Sequence, residues 1–153
     1  MHSMQCDLIK VRLTMSTTII RRYSELRQLA TFKERFNYLK LGGSIGESTF
    51  GFDRYLNQTF YRSPEWKRVR NEVILRDDGC DIGMAEFPAN HIIVHHMNPI
   101  TAEMIEDRDD ILLNPEYLIC VSHDTHNAIH FGDESLLPKL PIERRPNDMC
   151  PWR

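Results

Sequence analysis

Five of the chain's seven histidines lie in one stretch, where they form two groups. His95 and His96 are adjacent, while His126 and His130 follow later in the chain, four positions apart. Imidazole is the commonest metal ligand in proteins, and its ordinary pKa near about 6.5 also lets it serve as a neutral base. A fold that brings the two groups together would place a divalent metal beside a base. Metal-assisted hydrolysis requires this combination.

A strand is predicted at the first histidine pair. Residues 92–94 are a β-branched run that leads into His95 and His96, and an Asn-Pro pair then ends the run. Adjacent residues of a strand point to opposite sides of a sheet. The two histidines should therefore have different roles, one binding a metal and the other facing the substrate as a base.

A second strand and a short helix are predicted at the second histidine pair. Their order is an acidic loop over 101–113, a strand over 117–121, and a helix capped by Asp124 or Thr125 and stopped by Gly132. Residues four apart share one helical face, so His126 and His130 can converge on one ion. A third ligand from the first strand would complete a three-histidine site with open positions for water and substrate.

The first half of the chain is predicted to be helical with one aromatic loop. Its expected elements are helical structure over 16–40 with a capping box from Thr31 to Glu34, an aromatic loop over 42–62, and a helix from Ser63-Pro64 to about Arg76. In the last of these helices Trp66, Val69 and Val73 form an apolar stripe. The aromatic loop is expected to pack in the core, with a platform for stacking bases as the alternative.

Charge is distributed unevenly between the two halves. Residues 1–76 contain 14 Lys and Arg against 7 Asp and Glu, whereas residues 77–153 contain 5 against 15. This asymmetry indicates that the first half meets a polyanion, unless the two halves are only solvated surfaces of opposite sign. The residues predicted to contact DNA lie in or beside the helix that begins at Pro64, and they are Arg62, Lys67, Arg68 and Arg70.

Length and composition predict one α+β domain. Within its 153 residues we expect an N-terminal arm, helices and the aromatic loop in 1–60, the core in 61–132, and an extended Pro-rich tail in 133–153. No apolar run reaches the roughly 18 residues of a membrane span, and residues 1–14 lack the apolar core of a signal peptide. A cytoplasmic protein without a membrane partner is expected, starting at Met1 or Met15.

The histidine-rich part of the sequence resembles the HNH endonucleases, also called ββα-metal nucleases. The family's marks occur in order as His96 in VHHMNP, Asn114 ahead of the second strand, and His126 in THNAIH. This motif covers about residues 80–132. The segments 61–67 and 133–138 are similar to small HNH proteins of bacteriophages and prophages. The resemblance implies a ββα-metal finger with preceding helices and an extended C-terminal tail.

The resemblance also implies a role for each marked residue. It makes His96 the general base and Asn114 an orienting residue that fixes the loop or the base by hydrogen bonding. It makes His95, His126 and His130 the ligands of one divalent metal ion, with Mg, Mn, Zn and Ni as the candidates. The implied reaction is hydrolysis of DNA phosphodiester bonds to 5′-phosphate and 3′-hydroxyl ends, beside a phage terminase or other packaging proteins.

The chain departs from the family pattern in two respects. Many members have Asp before the base, whereas this chain has His95, as in the colicin-type nucleases, and imidazole favours a softer ion such as zinc or nickel. Many members also bind a structural zinc through two C-x-x-C pairs. The four cysteines here form no such pair, so ordinary packing is expected to hold the core.

Besides the alternative that the histidines are satisfied core residues with no metal, three other interpretations are open at this stage. A non-catalytic metal-containing DNA-binding module of a phage packaging assembly would use the same metal site, although mere binding needs no base. A metallohydrolase with a substrate other than nucleic acid is disfavoured by the basic first half. The third is a closed metal site that only holds a small fold together.

Overall fold

The structure is a computed structural model that describes residues 19–41, 53–84, 87–89 and 91–137. Its helices are α1 (Tyr23–Leu26), α2 (Phe32–Leu39), α3 (Asp53–Arg62), α4 (Pro64–Arg76), α5 (Ala102–Glu106) and α6 (His123–Phe131). Its strands are β1 (Cys80–Asp81), β2 (Phe87–Pro88), β3 (Ile92–His96) and β4 (Leu118–Ser122). Short 3-10 turns occur at Ile82–Met84, Asp110–Leu112, Pro115–Tyr117 and Glu134–Leu136. The predicted mixed α+β class is confirmed.

The histidine pair lies at the end of an antiparallel pair of strands. β3 pairs with β4 so that Val94 is opposite Cys120, His95 opposite Ile119, and His96 opposite Leu118. Alternate residues of each strand therefore share a face. Val94, Cys120 and Leu118 lie on the face of His96, while Ile119 lies on the face of His95. β1 and β2 form a separate two-stranded pair.

Helix α4 covers the face of the strand pair on which His96 lies. The predicted apolar stripe of Trp66, Val69 and Val73 is buried, and it packs against Val94, Leu118 and Cys120. Ser63 caps the helix by accepting a hydrogen bond from the Trp66 backbone, and Pro64 occupies its first position. The predicted stripe is confirmed.

The opposite face of the strand pair is covered by α6 and by the first two helices. The buried members of this second core are Leu26, Leu39, Ile82, Met97, Ile119, Val121 and Ile129. Buried Arg35 links α2 to the segment after β1, because its guanidinium donates to the carbonyl oxygens of Leu29 and Ile82. The strand pair is thus packed between helices on both sides.

A charged pair at the end of α4 fixes the position of β4. The Asp77 carboxylate accepts a hydrogen bond from the backbone of Cys120 at 2.8 Å and forms an ion pair with Arg76 at 2.7 Å. Arg76 also donates to the carbonyl oxygens of Pro115 and Leu118, each at 2.7 Å. These bonds hold the start of β4, which pairs with the histidines of β3.

The predicted aromatic loop over 42–62 is partly wrong. Residues 42–52 lie outside the described residues, but α3 occupies Asp53–Arg62. This stretch contains no Gly or Pro, so nothing in it prevents helix formation, and the Ser63-Pro64 pair ends it because a residue before proline disfavours helical backbone. The glycines of the predicted loop all precede α3.

The helical structure predicted over 16–40 is present as two short helices. Residues 16–18 lie outside the described residues, and the remainder forms α1 and α2 with a break between them. Thr31 caps α2 through the predicted capping box with Glu34. A capping residue needs extended backbone, here φ −105° and ψ 148°, so a helix cannot pass through Thr31.

Three boundaries near the histidines also differ from the predictions. The acidic loop contains α5, capped by Thr101, and a 3-10 turn, because no Gly or Pro interrupts it. Ser122 caps α6, instead of Asp124 or Thr125, by accepting from the Thr125 backbone. The predicted tail begins with a 3-10 turn capped by the Asp133 side chain, and the rest of it, 138–153, lies outside the described residues.

Across the described ranges, none of the helices combines the length and apolar character needed to cross a bilayer.

Candidate functional site

The three predicted metal ligands, His95, His126 and His130, lie close together. The ring centroids of His126 and His130 on α6 are 4.2 Å apart, and the ring of His95 lies 5.2 Å and 5.0 Å from them. One nitrogen from each ring can be chosen so that all three lie within 4.8 Å of one another. The cluster could therefore hold a metal ion, as the sequence predicted.

The nitrogens of this cluster fit a metal ligand set. Nε2 of His95 and Nδ1 of His130 are buried and have no hydrogen-bond partner among the described residues. A buried polar atom without a partner is costly, so native proteins satisfy such atoms or use them to bind something. Lone pairs on imidazole nitrogens at this separation are suited to a cation such as zinc, which binds such nitrogens at about 2.0–2.1 Å.

The surroundings keep all three imidazoles neutral. Burial lowers the pKa of His95 well below its usual value, and the nearby His130 and His126 lower it further. Burial likewise lowers the pKa of His126, and it lowers the pKa of His130 to about 4. A neutral imidazole keeps the lone pair that a metal needs, so the site is prepared for a cation without first losing protons.

A buried carboxylate anchors the start of α6. The Asp81 carboxylate accepts hydrogen bonds from the Ser122 backbone at 3.0 Å and from the Thr125 hydroxyl at 2.5 Å. Thr125 in turn accepts from the Ser122 hydroxyl at 3.0 Å. Gly83 allows this close approach, because a Cβ there would lie 2.8 Å from the Thr125 side chain. Since His126 follows Thr125, the network fixes the helix that carries two ligands.

His96 lies on the opposite face of β3 from His95. Its ring stacks on the indole of Trp66, with centroids 5.0 Å apart and planes 17° apart, whereas His95 faces α6. The predicted opposite orientation of the two histidines is therefore confirmed. His96 is only 9% exposed, and burial lowers its pKa to about 4, against a smaller opposite effect of its hydrogen bond to Leu112.

The hydrogen bond of His96 identifies the nitrogen that carries its lone pair. Nε2 lies 3.0 Å from the carbonyl oxygen of Leu112. A carbonyl oxygen only accepts, so Nε2 carries the proton, and Nδ1 has the lone pair in the neutral ring. The residues thus place a neutral imidazole, held by Trp66 and by Leu112, next in sequence to a candidate metal ligand.

Asn114 bonds to its own loop. Its side chain is exposed, and its Oδ1 accepts from the Glu116 backbone at 2.9 Å, capping the short turn at Pro115–Tyr117. The His96 ring instead bonds to the carbonyl of Leu112, two residues earlier. Of the two predicted ways in which Asn114 could act, this bond corresponds to fixing the loop.

The four predicted DNA contacts are all exposed. Arg62 ends α3, while Lys67, Arg68 and Arg70 lie on α4 away from its buried stripe. Because α4 packs on the His96 face of the strand pair, these cations lie on the same side of that pair as His96. They are available to a polyanion that approaches this side.

The remaining histidines of this region do not join the cluster. His123 is exposed, and its Nδ1 lies 3.2 Å from the Asn127 amide nitrogen. It is the first residue of α6, because Ser122 is the cap. His91 is exposed just before β3.

Sequence reasoning missed the supporting residues of the site. No sequence pattern marks Asp81, because a single Asp after a Cys is not a motif. Its partner Thr125 was expected only as a helix cap. Trp66 was assigned to the apolar stripe alone. The Ser-Pro start of α4 fixes the position of Trp66 within the helix. It does not predict the contact of Trp66 with His96, because the two residues are far apart in the sequence.

Comparison of the chain with protein-family models, with curated proteins and with solved structures finds no match in any of the three. The resemblance to the HNH family therefore remains a prediction from the residues named above.

Proposed function

We propose that this protein is a metal-dependent endonuclease of the HNH type that hydrolyses phosphodiester bonds of DNA. The proposal treats β3, β4 and α6 as a ββα-metal finger. The observation that carries it is the convergence of three neutral imidazoles on one face of β3, with His96 directly following one of them. Metal binding alone needs no base, and in this proposal His96 supplies one.

The proposed ligands are His95, His126 and His130, and Nε2 of His95 and Nδ1 of His130 have no hydrogen-bond partner among the described residues. A divalent cation held by them would supply Lewis-acid stabilisation of the charge that develops on the phosphate oxygens. Three imidazoles form a ligand set that suits zinc or nickel better than magnesium. The network from Asp81 to Thr125 keeps α6, and so two ligands, in place.

In the proposed reaction His96 is the general base. Its Nδ1 accepts a proton from the water that attacks phosphorus, while Nε2 keeps its bond to the Leu112 carbonyl. Burial lowers the pKa of His96 to about 4, so the ring is neutral at physiological pH and its Nδ1 carries the lone pair that accepts the proton. Asn114 contributes by fixing the loop that follows Leu112.

DNA is the proposed substrate because of the charge on the His96 side of the molecule. Lys67, Arg68 and Arg70 are exposed on α4, and Arg62 lies just before it. Cations that neutralise phosphates release condensed counterions, which supplies sequence-independent affinity. An acidic chain with a net charge of −3 needs such a local patch to approach a polyanion.

A second candidate function is a non-catalytic metal-containing DNA-binding module. One observation favours it, since His96 is 9% exposed and is engaged both by Trp66 and by Leu112, as a structural histidine would be. In that case His96 would stabilise the fold without accepting a proton. The two functions differ in what the loss of His96 does to cleavage.

Single-turnover cleavage of duplex DNA by the wild type and by His96→Ala separates these functions. A nuclease that uses His96 as its base should lose about 10²–10⁴-fold in rate. Metal binding, measured by calorimetry on the same preparations, should survive because the three ligands are intact. Cleavage by His96→Ala at the wild-type rate would refute the assignment of the base, and absence of cleavage in both proteins would favour the binding module.

A further inference from the structure

The indole of Trp66 and the imidazole of His96 form the most nearly parallel ring contact around the proposed base. Their centroids are 5.0 Å apart and their planes differ by 17°. Phe60 and Tyr61 also contact His96, at 6.2 Å and 6.3 Å, but their planes are inclined by 48° and 63°. Trp66 is 4% exposed and His96 is 9% exposed, so the stack is almost closed to solvent.

The indole itself is held firmly. The backbone N–H of Trp66 donates to the capping Ser63, which fixes the residue in the first turn of α4. Phe60 and Tyr61, at the end of α3, contact the indole at 5.4 Å and 5.1 Å. The Ser63-Pro64 break between the two helices therefore brings three aromatic rings around one imidazole.

The imidazole is restrained in two different ways. The second side-chain torsion of histidine has broad minima, so the backbone of β3 does not determine the plane of the ring. Stacking on Trp66 selects that plane, and the hydrogen bond to the Leu112 carbonyl selects the rotation within it. Together they determine the direction in which Nδ1 points.

We infer that Trp66 is a positioning residue that holds the His96 ring in the plane from which it takes a proton. The inference rests on the proposed function of His96. An apolar core alone needs only volume at this position, as Val69 and Val73 supply along the same stripe. A planar neighbour stacks on the imidazole and restrains its plane, whereas an aliphatic side chain supplies only volume, and that difference can be tested.

Two substitutions of Trp66 separate the orienting role from the packing role. Trp66→Leu keeps an apolar side chain but removes the plane, and it should lower kcat by about 10–100-fold, since small misplacements of reacting groups have effects of this size. KM for duplex DNA and metal affinity should be unchanged. Trp66→Phe restores a plane and should recover most of kcat. Val73→Ala, in the same buried stripe, should lower stability without this loss of kcat.

A double substitution identifies the route by which Trp66 acts. In the His96→Ala background, Trp66→Leu should cause no further loss of rate, because residues that act as a unit are not additive. Losses that multiply would overturn the inference, as would a folded Trp66→Leu protein with wild-type kcat.

A spectroscopic measurement tests the stack without any activity. In the wild type, NMR should give nuclear Overhauser effects between the indole protons of Trp66 and the ring protons of His96, whose signals are shifted by the indole ring current. Absence of these effects would overturn the inference even if Trp66→Leu did not fold. If His96→Ala cleaves DNA normally, the proposed function fails and with it the role in proton transfer, while the NMR result still decides whether the two rings stack.

Discussion

The imidazole rings of His126 and His130, which are separated by one turn of α6, have their centroids 4.2 Å apart. Burial lowers the pKa of both rings, and the nearby His126 lowers that of His130 further. The pair therefore exists as two neutral rings. Neutral rings with converging lone pairs are suited to binding a metal. A hydrophobic core gains no stability from such lone pairs.

Removal of either helix ligand should weaken metal binding. His126→Ala and His130→Ala each take away one of three proposed nitrogens, and calorimetric titration with zinc or nickel should give a clearly lower affinity for both. His123→Ala is the matched control, because His123 lies exposed on the same helix. Unchanged affinity in both ligand variants would refute the proposed site.

The network below α6 should contribute measurably to stability. Thr125→Val retains the side-chain shape but removes the hydroxyl that donates to buried Asp81. We expect the free energy of unfolding, measured with urea, to fall by about 1–3 kcal/mol, the usual cost of leaving a buried acceptor unsatisfied. Asp124→Asn, an exposed change one position earlier, should have almost no effect. Equal stability of Thr125→Val and the wild type would contradict the anchoring role of Asp81.

Stability of the metal-free protein should fall as the pH drops below about 6.5. The pKa values of His96 and His130 are lowered to about 4 in the folded state from 6.5. Between these values the unfolded chain binds protons that the folded chain does not, so the stability present above pH 6.5 is lost as the pH falls towards 4.

Urea denaturation in a chelator at several pH values between 7 and about 4.5 measures this dependence. His96→Gln removes one of the two groups, so its curve should be less steep. Stability that is constant or that rises on acidification would show that these imidazoles are not held neutral in the folded protein.

The exposed cations of α4 should contribute to the affinity for DNA. Arg68→Ala combined with Arg70→Ala should weaken binding about equally for all sequences, and it should flatten the slope of log affinity against log salt by about one unit for each phosphate that is no longer neutralised. Metal affinity should remain, because the proposed ligands lie on α6 and on the face of β3 opposite to α4. Asn71→Ala, exposed on the same helix, serves as the control. Wild-type affinity with an unchanged salt slope would mean that α4 is only a solvated surface.

Local patterns predicted the features of the fold that depend on a single segment of the chain. The β-branched run into His95 predicted β3, the spacing of Trp66, Val69 and Val73 predicted the buried stripe of α4, and the four-residue spacing on α6 predicted two converging rings. These features follow from the period of a single strand or helix.

The remaining features depend on contacts between distant segments. The bond from Asp81 to Thr125 and the stack of Trp66 on His96 join elements whose mutual position no spacing encodes. The helix α3, with its aromatic residues Phe60 and Tyr61, lies within the stretch that was predicted as a loop. Their packing around His96 became apparent only with the tertiary fold.

Incubation of supercoiled plasmid with the protein and single divalent metals, with and without a chelator, tests the central claim most directly. Magnesium, manganese, zinc and nickel are the ions to compare. We predict nicked or linear DNA with at least one of these ions, and intact plasmid when the chelator is present or when His130→Ala replaces the wild type. Intact plasmid with every ion, or cleavage that persists in the chelator, would contradict the account.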